Sequence, residues 1–80
     1  MKHINEILKK ENPSVEELIN CFESIKENGD IAVIKFDGER VENPYTVFIS
    51  FPIIKQKEII RADENDLKSA LIKVLMRYAG

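Results

Sequence analysis

Three short runs rich in β-branched and aromatic residues, "IAVIKFD" (31 to 37), "YTVFISF" (45 to 51) and "KEIIRA" (57 to 62), follow one another with no helix-forming stretch between them. Such runs, bounded by Gly or Pro, read as strands. Parallel neighbours need a crossover of about a dozen residues or more, so the three are expected to pair as an antiparallel meander. The first connection, "DGERVENP" (37 to 44), allows either a tight hairpin at Asp37-Gly38 or one long loop, because Pro44 has no N–H to give a ladder. The register stays open at this level.

Helical periodicity frames the strands on both sides. Val15, Leu18, Ile19, Phe22 and Ile25 follow the i, i+3, i+4, i+7, i+10 series of an amphipathic helix. Ser14 with Glu17 makes a capping box and Asn28-Gly29 a stop, so the helix is expected over 15 to 28. Upstream, Ile4, Ile7 and Leu8 sketch a shorter helix ending near Asn12. At the other end, Leu67, Leu71, Val74, Leu75 and Tyr78 line one helix face, widened by Ala70, Ile72, Met76 and Ala79. "RADENDLK" (61 to 68) precedes it, and Asp63 is expected as its cap, with Glu64 and Asp66 at the positive end of the dipole and Glu64 paired with Lys68. The expected fold class is therefore α+β, two-layer, with helices on one face of a three-stranded antiparallel β-meander. Its order is α-β-β-β-α, with a short extra N-terminal helix. Eighty residues give one domain, 1 to 80, in which every element shares one core.

This order of elements resembles that of the double-stranded RNA-binding domain, over a similar length. In that family the last helix opens with lysines that grip phosphates, and the loop between the first two strands carries a His that reaches the sugar edge. The matching places here are "DENDLK" and "DGERVENP", the first acidic and the second without His, while His3 lies at the far N-terminus. The resemblance covers the layout and none of the phosphate-gripping residues, so duplex RNA binding is not expected.

Composition narrows the function classes further. Net charge is −2, and the acidity belongs to residues 1 to 30, where seven acids face four lysines. That balance makes nucleic acid an unlikely partner. One cysteine, Cys21, excludes an internal disulfide and a multi-cysteine zinc site, and fits a reducing compartment. No apolar run approaches a membrane span and the N-terminus lacks a signal-peptide pattern, so a cytoplasmic protein is expected. An EF-hand reading of Asp63, Asn65 and the residues after them fails at Lys68 and Val74, where the loop needs Gly and Glu. No metal, cofactor or catalytic residue is expected: Cys21 and His3 form no recognisable dyad, and the three glycines are too dispersed for a phosphate loop.

Two surfaces remain as candidates for binding another protein. One is a stripe on the first long helix, Glu16, Asn20, Glu23 and Glu27, whose Glu23/Glu27 repulsion no lysine in the stripe relieves. The other is the outer face of the sheet. If Tyr45, Val47, Ile49 and Phe51 point to the helices, alternation sends Phe48 outward among Ile31, Val33 and Lys35 on one side and Lys57, Ile59 and Arg61 on the other. This is an apolar centre with a basic rim, unless residues 4 to 8 fold over it. The expected function is a small non-catalytic protein-binding module, of the immunity or inhibitor type in size and charge. Single-stranded nucleic-acid binding through the outer face, or a homodimeric structural subunit, are the alternatives.

Overall fold

The computed structural model describes residues 2–80, with the side chains described from His3 onward. The elements are α1 (Lys2–Leu8), α2 (Val15–Glu27), β1 (Ile31–Phe36), β2 (Tyr45–Ser50), β3 (Ile60–Glu64) and α3 (Leu67–Ala79), with a 3₁₀ turn at Ile53–Lys55. The three strands form one antiparallel sheet in the order β1-β2-β3. The α+β class, the α-β-β-β-α order and the short N-terminal helix are as expected from the sequence.

Register follows from which side chains the core needs. Val47 and Ile49 are fully buried, and pairing sets them beside Ile34 and Ala32 on β1 and beside Ala62 and Ile60 on β3. All three helices lie on this face. Ile4 and Ile7 of α1, Leu18, Cys21 and Ile25 of α2, and Ala70, Leu71, Val74, Leu75 and Tyr78 of α3 join the strands in one hydrophobic cluster. A buried aliphatic side chain contributes about 1.5–3 kcal/mol, so this cluster is the main source of stability. The molecule is only 17 Å thick along its shortest axis, which corresponds to two layers.

Local chemistry sets the helix starts. Glu17 N–H donates to the Ser14 hydroxyl at 3.1 Å and Ser14 N–H donates to the Glu17 carboxylate at 3.0 Å, closing the capping box. Lys10 also donates to Glu17, and this bond first, with the Ser14 N–H, pushes the Glu17 carboxyl down to about 2. At the α2 exit Gly29 takes a positive φ of 84°, and the chain turns into β1. There Asp30 is nearly buried, accepting from the Tyr78 hydroxyl at 2.6 Å and from Lys55 Nζ at 2.6 Å. Burial pushes its carboxyl up, but the bonds from Lys55 and Tyr78 outweigh it and leave the group below the ordinary Asp value.

Several expectations at the strand–helix junction are corrected. Asp63 is a strand residue, and α3 is capped by Asp66, whose carboxylate accepts from Ser69 N–H at 2.8 Å. Glu64 pairs with Lys73 at 2.8 Å instead of Lys68. Either aspartate suits a cap chemically; cross-strand partners for Asp63 decide between them. The third strand accordingly spans Ile60–Glu64 in place of 57 to 62, and residues 37–44 form a long loop. Ile19, expected on the core face of α2, is 41% exposed on the helix flank. Cys21 is wholly buried, its thiol pushed up by burial and then by Glu17, while His3 is exposed on α1.

Candidate functional site

Strand alternation sets the outer face opposite the helices. Phe48 lies at its centre, directly between Val33 on β1 and Arg61 on β3, with Thr46 between Lys35 and Asp63 on one side and Ser50 beside Ile31 on the other. Ile59 precedes β3, so no strand pairing sets it on this face. Val33, Ile31 and Ile59 are 36%, 55% and 60% exposed. Of the expected face residues, Val33, Lys35, Phe48 and Arg61 therefore share one surface, while Ile59 lies just outside the paired strand. Lys57 does not share it: β3 begins after it, and its Nζ sits 5.4 Å from the centroid of the Phe51 ring, which stacks on Tyr78 of the helix layer. The alternation that would carry Lys57 outward requires a strand that has not yet started.

The face has a polar end and an apolar end. At the polar end the long loop sends Arg40 back over the sheet, where its Nη1 donates to Asp63 Oδ1 at 3.0 Å and to the Thr46 hydroxyl at 3.0 Å. Thr46 donates in turn to Asp63, and Arg61 Nε donates to the other Asp63 oxygen at 3.0 Å. Arg61 first, then Thr46 and Arg40, hold the Asp63 carboxyl far below the usual range. Asp37 gathers Arg40 Nε at 3.2 Å and Lys35 Nζ at 3.4 Å. The Glu39 N–H is the main cause of its lowered value, with burial opposing and Lys35 adding. Three cations thus share two carboxylates, and Thr46 is covered although it points outward.

The apolar end stays open. Residues 4 to 8 do not cover it, because Ile4 and Ile7 are consumed by the helix-layer core against α2 and α3. What partly closes the face is the 37–44 loop through Arg40, a residue that periodicity could not single out. Sequence reasoning also missed the tip of the β2–β3 connection, where Ile53 and Ile54 are 94% and 89% exposed on the 3₁₀ turn. The signal was present in "FPII", an apolar pair after a proline that breaks the strand.

Glu16, Asn20, Glu23 and Glu27 all lie exposed on α2, on the opposite layer from Phe48. The expectation of an unrelieved repulsion in this stripe is corrected, since Lys26 Nζ lies 2.8 Å from Glu23 Oε2 one turn along. Among the described residues no group of three or more His, Cys, Asp or Glu is arranged to hold a metal ion, and no helix is long and apolar enough to cross a membrane. Comparisons with protein-family models, with curated proteins and with solved structures returned no match to the chain. The fold and the surface alone therefore define the class: a two-layer α+β domain with one uncovered sheet face.

Proposed function

We propose that the chain is a small non-catalytic protein-binding module that occupies a partner protein's surface through its outer sheet face, in the manner of an inhibitor or immunity protein. The observation that carries this reading is the apolar end of that face, half-buried Phe48 with exposed Val33 and Ile31, bordered by the ordered polar cluster around Asp63. An apolar centre beside fixed polar groups suits a protein surface. The paired state of Lys35, Arg40 and Arg61 argues against phosphate as the partner chemistry, because Asp37 and Asp63 already balance two of their three charges. Tyr45, the other aromatic residue of β2, packs edge-on against Phe36 at 5.3 Å, on the face away from Phe48, so the outer face offers bases no second stacking ring from this strand. The α2 stripe lies across the molecule, so one flat partner surface engages either it or the Phe48 face.

The test compares Phe48→Asp with simultaneous charge reversal of Glu16, Glu23 and Glu27, each checked for folding by circular dichroism. A partner captured from native lysate by the wild-type chain and by the helix variant, but lost with Phe48→Asp, is the expected result. Equal capture by all three chains, or salt-sensitive binding of labelled single strands that Phe48→Asp abolishes, would overturn the reading.

A further inference from the structure

The β1 edge of the sheet carries a second surface, independent of the outer-face reading. Asp37 N–H donates to the Pro44 carbonyl at 2.8 Å, which fixes the phase of the ladder. In an antiparallel pair, bonded residues recur every second position. Lys35, Val33 and Ile31 therefore turn their backbone groups toward β2, and Ala32, Ile34 and Phe36 turn theirs to the free edge. The Asp30 N–H, in the same phase, already leaves the sheet to donate to Ile25 of α2 at 3.1 Å. Among the described residues nothing bonds the edge groups of Ala32, Ile34 or Phe36.

Edges are normally blunted by proline, a bulge, an inward-pointing charge or lysines along the edge strand. Of these β1 carries only one lysine, Lys35, whose charge is paired with Asp37: its pairing with β2 is one-to-one and its inward side chains are Ala32, Ile34 and Phe36. Beside it runs a groove of about 490 Å³ between α2 and β1, lined by Phe22, Lys26, Asp30, Ile31, Ala32 and Ile34. At the other end of the same strand Phe36 is 67% exposed, so one edge holds both an aromatic knob and an apolar hole.

We propose that β1 pairs antiparallel with β1 of a second copy of this chain, about a twofold axis at Ile34, to give a continuous six-stranded sheet. This register sets Ile34 opposite its own copy and Phe36 opposite Ala32, the smallest residue of the edge, where it enters the groove beside Phe22. The three free edge residues then satisfy their backbone groups reciprocally, and Lys35 falls beside Val33, with no like charge facing it. A register moved two residues along, with the axis at Lys35, sets two lysines face to face. Ile19, exposed on the Phe22 flank of α2, extends the apolar contact. A knob and a hole on one surface, exchanged by a twofold, is the arrangement an isologous dimer requires.

Sedimentation and light scattering on the full chain test this. Wild type and Phe48→Asp are expected to show a doubled mass. Phe36→Asp, at an exposed position, is expected to weaken the dimer about thirtyfold. Ile34→Pro, which removes an N–H that β2 does not use, is expected to abolish it. A wild-type chain that is monomeric up to about millimolar concentration overturns the proposal, as does a dimer that survives both edge substitutions but dissociates with Phe48→Asp.

Discussion

The two edges of the sheet are finished in different ways. At β3 the phase of the ladder turns the backbone of Arg61 and Asp63 outward, and Arg77 of α3 reaches across to donate to the Arg61 carbonyl at 2.9 Å. Around it stand Arg61, Asp63, Glu64 and Lys73, all charged and mutually paired. At β1 six residues run without a bulge, the outward backbone has no guard, and the neighbouring helix flank offers Ile19 and Phe22. A charged, capped edge resists added strands, whereas an apolar, open edge beside a groove accepts them. The difference lies in what covers each edge, since both strands obey the same alternation.

The largest effect is expected from stripping the charged edge. Asp63→Ala removes the acceptor shared by Arg40, Arg61 and Thr46 and should cost about 2 kcal/mol at neutral pH, after allowing for a carboxylate that is one-third exposed. The folded-state value of Asp63 is depressed, so its contribution is complete above the unfolded value near 3.9 and is lost as pH falls through that value toward the folded one. Urea unfolding at a series of pH values should show the wild-type advantage shrinking below about pH 4. An advantage that is constant down to pH 2 would assign the loss to packing and leave the charged guard without a role.

Amide exchange compares the edges directly. The Ala32, Ile34 and Phe36 amides are expected to exchange about tenfold more slowly in concentrated than in dilute solution, because strand addition protects them by mass action. The Arg61 and Asp63 amides should exchange fast at both concentrations. The same concentration dependence at both edges, or at neither, would erase the distinction. The smallest effect is that of Arg77→Ala, which bares the Arg61 carbonyl to water. It should lower stability by about 0.5 kcal/mol in thermal or urea unfolding, and the mass measured by light scattering should equal that of the wild type.

How far these features were legible depends on the range of the interactions that make them. The capping box at Ser14 and the stop at Gly29 are local, and the sequence yields them with the helix between. The outer face followed from alternation once Tyr45, Val47 and Ile49 were assigned inward, which put Val33, Phe48 and Arg61 side by side. Lys57 failed because alternation was carried back past the start of β3. Asp63 failed because two aspartates three residues apart make equally good caps. The deciding partner, Arg40, is 23 residues away in a loop without periodicity. The guard at Arg77 was equally hidden, since its position on α3 marks it only as part of a solvent stripe.

The sequence by itself determined the order of elements, the antiparallel pairing and the two faces of each strand, because propensity, capping and short connections act within a few residues of one another. Only the tertiary structure decided that α1 joins the helix layer, that Arg40 clamps one end of the open face, and that Arg77 caps one edge while the other stays bare. Those outcomes rest on contacts between distant side chains competing for the same surface and the same hydrogen-bond acceptors, and that competition is resolved only when the chain is packed.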